Sequence, residues 1–335
     1  MKREPLKVAS PAKIILTGEH SVVYGMPAIV TAINRFAYTE IAATATSRIH
    51  LTLADLKEKA SSTFDTLRLL RDRLLESYHL CLNGSLSIRQ VLQRPAELFQ
   101  FTLINLIDTF QTKIKNGLKV KVHSEIPIGC GMGSSAATIV SVIRAFTHYL
   151  NLDINLDWLY RLSVEAERLQ HGFSSGIDSY ISLNGGAARF QNGKAHPLLL
   201  PEMPLYIVNT GKPESSTGEC VMNVASRFKT STIWKEFEAV TNHIERALGD
   251  DLAPLIRHNH ELLTHIGVVP TKVQQFIKEL EEAGASAKTC GAGAVYGESA
   301  GIVLVLADEP PLHICQKYGY TISEVKGEKQ GARVV

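Results

Sequence analysis

The chain has 335 residues, 45% of them hydrophobic, and its acidic and basic side chains nearly balance to a formal net charge of +2. A chain of this length can bury a large core and favours two domains over one. No long run of lysine or arginine suggests a nucleic-acid surface, and no apolar run reaches membrane-spanning length. We therefore expect neither nucleic acid nor a membrane as a partner.

The five cysteines lie far apart and never form a CxxC pair, which favours neither a disulfide framework nor a zinc site. The N-terminal stretch "MKREPLKVASPAK" is charged and lacks the apolar segment of an export signal. These features predict a cytoplasmic protein.

In chain order, the first predicted element is a strand in the apolar segment "AKIILTG", residues 12–18. Leucine and phenylalanine then recur at three- and four-residue intervals, which predicts helices over 63–80 and 96–114. Residues 118–126 alternate apolar and polar side chains, the pattern of a half-buried strand, and residues 135–150 return to helical spacing. A glycine-rich loop therefore joins a strand to a helix.

The second half predicts α+β structure, because helical and strand patterns are mixed in it. A hinge is expected near "LLLPEMP", residues 198–204. Before this hinge a helix is predicted over 157–170; after it, helices are predicted over 233–248 and 271–284 and strands over 204–211 and 301–308.

The loop "PIGCGMGSS" places glycines at 129, 131 and 133 immediately before two serines. Glycines let the backbone turn tightly and approach a ligand, and the N–H groups at a helix N-terminus favour an anion, so the loop suits phosphate. The spacing matches neither GxxxxGK[ST] nor GxGxxG. On spacing alone, a structural turn with a serine cap remains the alternative.

Four stretches resemble, in the right order, the motifs of the GHMP kinase superfamily of small-molecule kinases. They are residues 10–33, 127–137, 167–178 and 284–306. The first stretch, "AKIILTGEHSVVYG", is most similar to the mevalonate kinase family, which reads K-x-x-L-x-G-E-H-x-V-V-x-G there. The resemblance implies two domains: residues 1–195, similar to the second domain of ribosomal protein S5, and residues 196–335, a ferredoxin-like α+β layer.

The resemblance also implies a site for ATP, Mg²⁺ and mevalonate, with a homodimer as an open alternative to a monomer. Asp178 matches the catalytic aspartate, and Lys13 the lysine beside it. Ser135 and Glu167 match the metal-binding pair, while Glu19, His20 and Thr217 would contact mevalonate. The loop implied to hold the ATP phosphates is Gly129, Cys130, Gly131, Met132, Gly133, Ser134 and Ser135.

Three of these assignments have alternatives that concern Asp178, Lys13 and Glu167. Asp178 could cap a helix, and Lys13 could sit at an exposed strand end, although a lysine in an apolar strand is costly to bury unless it is paired. Glu165 is a rival to Glu167, and the eleven-residue step to Asp178 in the family motif selects Glu167.

The chain departs from the family pattern at three places. Ser174 stands where proline is usual, Glu214 where an arginine is common, and "GAGAVYGES" replaces a longer glycine run. Substrate identity is therefore less constrained than reaction class. The alternatives are another GHMP kinase, acting on a sugar or a different hydroxy acid, and a catalytically silent ligand sensor of the same fold.

Overall fold

Two β-sheets organise the protein in the computed structural model, which describes residues 5–111, 114, 116–200, 205–247 and 252–335. Within these residues the first sheet has eight strands in the order β12-β1-β2-β5-β3-β4, and β6 joins β2 to β7. Its strands are β1 Leu6–Thr17, β2 Ala28–Thr44, β3 Ile49–Leu53, β4 Glu58–Ser62, β5 Gly117–Ser124, β6 Ala187–Gln191, β7 Lys194–Leu198 and β12 Arg333–Val334.

The long strand β2 holds the first sheet together. It pairs with β1 along one edge, and along the other with β5 through residues 37–44 and with β6 through residues 28–31. Since a strand has only two edges, β5 and β6 divide the second one between them. Strands β3 and β5 are parallel.

The second sheet is antiparallel, with the order β11-β8-β10-β9. Its central strand β10 carries five consecutive buried residues, as expected for a strand that is covered on both faces. The strands are β8 Leu205–Asn209, β9 Ser286–Thr289, β10 Ile302–Leu306 and β11 Thr321–Val325.

Most of the predicted helices are present. The helix predicted over 96–114 ends earlier, at Thr109, and Gln111 then adopts a positive φ of 47°, which a helix cannot accommodate. Residues 112, 113 and 115 lie outside the described part. The helices are α1 Phe64–Leu82, α2 Pro95–Thr109, α3 Ser134–Tyr149, α4 Leu156–His171, α5 Ile177–Asn184, α6 Thr217–Phe228, α7 Ile233–Arg246, α8 Ala253–His265, α9 Thr271–Glu282 and α10 Leu312–Tyr318.

The largest hydrophobic cluster crosses from one sheet to the other. It includes Leu16 and Ile33 of the first sheet together with Val208, Phe237 and Phe276 of the second half. Burial of this surface from both sides holds the two sheets in a defined arrangement. The loop between β5 and α3 contributes Cys130 and Met132 to the same cluster.

The predicted boundary between residues 195 and 196 stays a prediction. Strand β7 runs across it and pairs with β6, and the C-terminal strand β12 returns to pair with β1. The predicted hinge at 198–204 falls partly on residues 201–204, which lie outside the described residues. No helix in the described ranges is both long and apolar enough to cross a membrane.

Candidate active site

A lysine and an aspartate from distant parts of the chain form an ion pair beside the glycine loop. Lys13 lies in β1 between two register irregularities, and its side chain is buried. Its Nζ lies 3.1 Å from Oδ1 of Asp178 and donates to the carbonyl oxygen of Gly131 at 3.1 Å. Irregular register can redirect a strand side chain, and pairing offsets the cost of burying an ammonium group.

Asp178 occupies the second position of α5, whose N-cap residue is Gly176. Its N-cap is a glycine without a capping side chain, Ser175 accepts from the N–H of Ile177, and among the described residues the carboxylate of Asp178 accepts no backbone N–H. Its side chain is 27% exposed, which leaves it reachable from solvent while it contacts Lys13.

The sign of the backbone torsion φ alternates along the glycine loop. Gly129, Gly131 and Gly133 have φ values of 74°, 88° and 69°, and the residues between them do not have positive φ. Alternation of right- and left-handed backbone conformations is the feature that lets successive N–H groups form an anion-binding concavity. Gly133 is the N-cap of α3, and among the described residues no side chain accepts a hydrogen bond from the first N–H groups of this helix. The serine-cap alternative therefore does not describe this loop.

The glycines of the loop also lie close to the rest of the site. A methyl group added to Gly131 would lie 2.7 Å from the carbonyl oxygen of Cys290. At Gly133 it would lie 3.1 Å from Cγ of Lys13 and 3.3 Å from Oδ2 of Asp178. The loop is therefore in contact with the ion pair on one side and with the second half of the chain on the other.

Ser135 and Glu167 meet at the start of α3. Ser135 Oγ donates to Oε1 of Glu167 at 2.7 Å and lies 3.3 Å from Nε2 of His171. Glu167 is buried, and its burial together with the nearby charge of Asp178 raises its pKa to about 7. Glu165 is exposed on another face of α4 and accepts from Asn105 instead.

Glu19, the acidic residue that follows β1 in the first motif, forms an ion pair with a lysine of the second sheet. Glu19 and Lys288, of strand β9, form a salt bridge in which both side chains are fully buried. Lys288 also donates to the carbonyl oxygen of Ile15 at 3.1 Å. The second carboxylate oxygen, Oε2 of Glu19, is buried and has no hydrogen-bond partner among the described residues.

His20 is buried next to this salt bridge, with Nε2 3.0 Å from the carbonyl oxygen of Ala292. Burial lowers its pKa, so the ring is neutral near pH 7. Because the Ala292 carbonyl oxygen can only accept, Nε2 carries the proton. Thr217 is exposed at the start of α6, and in the part of the chain that the structure describes no hydrogen bond joins it to Glu19 or His20.

Residues 100–186 match the model of the GHMP kinases N-terminal domain. The mevalonate kinase of Pyrococcus furiosus is 31% identical over 302 residues, which cover 85% of each chain. That of Thermococcus gammatolerans is 30% identical over 95% of this chain and 98% of its own. The chain belongs to the mevalonate kinase family.

The fold agrees with this membership. A crystal structure of a mevalonate kinase superposes with a TM-score of 0.81 at 24% identity, over 97% of this chain and 99% of that one. The two-domain GHMP kinase fold implied by the motifs is thereby confirmed. As a member of the family, the protein is a kinase.

Two of the departures from the family pattern lie against each other. The segment "GAGAVYGES" packs beside residues 214–219: the backbone N–H of Val295 donates to Ser215 Oγ at 3.1 Å, and Tyr296 donates to the carbonyl oxygen of Glu214 at 3.4 Å. A methyl group added to Gly297 would lie 2.6 Å from Oε1 of Glu214. The altered third motif and the glutamate at the arginine position therefore form one contact surface.

Two residues at the site are not among those predicted from the sequence. Lys288 lies in the apolar stretch "GASAKTC", and the argument that selects Lys13, a lysine in a strand that needs a partner when buried, would select it as well. Ser174 donates a hydrogen bond to Glu167. The only signal for it in the sequence is that the family motif usually has proline at this position.

Proposed function

We propose that this protein transfers the γ-phosphoryl group of ATP to the 5-hydroxyl of mevalonate, forming 5-phosphomevalonate and ADP in isoprenoid biosynthesis. The observation that carries the proposal is the Lys13–Asp178 ion pair in contact with the glycine loop. It places a carboxylate and an ammonium group beside a backbone suited to phosphate. Membership of the mevalonate kinase family supports the choice of substrate.

In the proposed reaction, Asp178 accepts the proton of the substrate hydroxyl. That oxygen then bonds to the γ-phosphorus, the bond from the γ-phosphorus to the bridging oxygen of the β-phosphate breaks, and ADP leaves with the electron pair. Lys13 offsets negative charge that develops on the transferred group. Phosphoryl transfer depends mainly on positioning and charge stabilisation, and these residues supply both.

The glycine loop and the first turn of α3 would hold the phosphates. Two observations support this role. The sign of φ alternates along the loop, and the N-cap residue Gly133 makes no side-chain cap hydrogen bond. N–H groups of the first helical turn have no intrahelical partner and favour an anion.

Ser135 and Glu167 would hold Mg²⁺ carried by the nucleotide. They present a hydroxyl and a carboxylate side by side, the hard oxygen donors that this ion prefers, and Mg²⁺ commonly uses few protein ligands. Burial and the nearby charge of Asp178 raise the pKa of Glu167, and a cation bound beside it would favour the charged carboxylate. The ion held by these residues would supply positive charge to offset that of the phosphates.

Glu19 and His20 would line the mevalonate pocket, and Thr217 would join them from the second domain. The free Oε2 of Glu19 supports this role, because a buried carboxylate oxygen without a partner can accept a hydrogen bond from a substrate hydroxyl. Lys288 would hold the other oxygen of Glu19 in place.

A coupled ADP-release assay tests the proposal with mevalonate, phosphomevalonate, galactose and homoserine side by side. We expect turnover with mevalonate and at least a hundredfold lower kcat/KM with the other three. A preference for another acceptor would reassign the substrate while leaving the reaction class intact. ATP binding without turnover of any of the four acceptors would support a ligand sensor instead.

A further inference from the structure

Ser174 lies in the turn between α4 and α5 and forms two hydrogen bonds. Its Oγ lies 3.3 Å from Oε2 of Glu167, and the backbone N–H of Gly176 donates to the same Oγ at 3.2 Å. Because the N–H of Gly176 uses a lone pair of the hydroxyl oxygen, the single hydroxyl proton remains available for the carboxylate. The hydroxyl of Ser174 therefore donates to Glu167.

The carboxylate of Glu167 is thus held at both oxygens. Ser135 donates to Oε1, and Ser174 donates to Oε2. The terminal torsion of a glutamate is broad, so an unrestrained carboxylate turns easily. Two donors on opposite oxygens restrict that rotation and leave the remaining lone pairs pointing in fixed directions.

We propose that Ser174 is a positioning residue that orients Glu167 toward the Mg²⁺ carried by the nucleotide. The inference rests on the proposed function, because it takes Glu167 as a metal ligand. Where the family motif has proline, this chain has a side chain that hydrogen-bonds the carboxylate directly. Partners that orient a metal ligand commonly change metal affinity by about 10- to 100-fold when they are removed.

Ser175 offers a matched control for the turn itself. Its Oγ accepts from the backbone N–H of Ile177 at 3.4 Å, the same two-residue pattern that Ser174 forms with Gly176. Within the described residues it makes no hydrogen bond to Glu167. Removing either hydroxyl therefore weakens the turn, whereas only Ser174→Ala also removes the hydrogen bond to Oε2 of Glu167.

The test measures Mn²⁺ binding by electron paramagnetic resonance in the presence of a non-hydrolysable ATP analogue, together with the melting temperature. We expect Ser174→Ala to raise the Mn²⁺ Kd by about tenfold, at the lower end of the range because Ser135 still holds one oxygen. Ser175→Ala should leave the Mn²⁺ Kd unchanged. Ser174→Thr, which keeps the hydroxyl, should restore it, and Ser174→Pro should not.

Glu167→Gln separates this inference from the proposed function. If Glu167→Gln weakens Mn²⁺ binding strongly and Ser174→Ala does not, the orienting role is wrong and the metal role of Glu167 stands. If Ser174→Ala and Ser175→Ala change the Kd equally, Ser174 acts only through the turn. If Glu167→Gln leaves the Mn²⁺ Kd unchanged, both the metal assignment and this inference are overturned.

Discussion

Asparagine at position 178 tests the proposed chemistry because it keeps the shape of the side chain and removes its charge. An amide cannot take the hydroxyl proton, and although its oxygen can still accept a hydrogen bond, it no longer pairs the ammonium group of Lys13 with a negative charge. A positioned general base contributes roughly 10²- to 10⁴-fold to a rate. We therefore expect kcat to fall by about that factor, equivalent to about 3 to 5 kcal/mol of activation free energy.

The same substitution should also reduce stability. Removing one partner of a fully buried ion pair costs roughly 3–5 kcal/mol. Lys13 is 4% exposed but Asp178 is 27% exposed, so solvent screens the pair and a smaller loss is expected, about 1–2 kcal/mol. ATP affinity should change little, because the loop and α3 are untouched.

Asp157→Asn is the matched control, because Asp157 occupies the second position of α4 as Asp178 does of α5. Loss of charge at that position alone costs roughly 0.3–1 kcal/mol of stability through the helix dipole and should not affect the rate. Measuring kcat, nucleotide affinity and urea unfolding on single preparations separates the effects. A near-normal kcat for Asp178→Asn would refute its role as the base.

Three further predictions concern buried ionisable side chains. Lys288→Met should lower the free energy of unfolding, measured in urea, by roughly 3–5 kcal/mol, because it leaves Glu19 charged and unpaired. Adding Glu19→Gln should recover part of this loss, and no recovery would contradict this account. His260 has its pKa lowered to about 4, first by burial and then by Lys288, so the unfolded state binds more protons below pH 6.5. Stability should therefore fall by about 2 kcal/mol from pH 7 to pH 5, and His260→Gln should flatten that profile; an equally steep profile in the variant would rule His260 out as its source. Glu167, with its pKa raised to about 7, must lose a proton to bind metal, so Mn²⁺ affinity in the presence of the ATP analogue should be about tenfold weaker at pH 6 than at pH 8. Glu167→Gln reports the pH dependence of the nucleotide alone, and an unchanged slope in this variant would argue against the linkage.

The local sequence pattern was sufficient to predict the strand before the glycine loop and the helix after it. The predicted strand over 118–126 and helix over 135–150 correspond to β5 and α3, with ends shifted by one or two residues. Alternation of apolar side chains and helical spacing are local signals, and they carry this information without knowledge of the rest of the chain.

The helix predicted over 96–114 shows the limit of such signals. Its apolar spacing continues beyond Thr109, but the backbone leaves the helix there and Gln111 adopts positive φ. The end of a helix depends on what the following residues pack against, which spacing does not encode.

The sequence by itself determined the family and the order of its motifs, because "GEHSVVYG", "PIGCGMGSS" and "ERLQHGFSSGID" are each contiguous. Only the tertiary structure decided which side chains meet. Lys13 reaches Asp178 across 165 positions, and Glu19 reaches Lys288 across 269. Likewise, the sequence does not show which of the neighbouring serines, Ser174 or Ser175, contacts Glu167. The hydroxyl of Ser174 reaches Glu167 because α4 and the following turn bring the two residues together. Such pairs depend on how sheets and helices pack, since burial selects the arrangement of the whole chain and local pattern specifies only its parts.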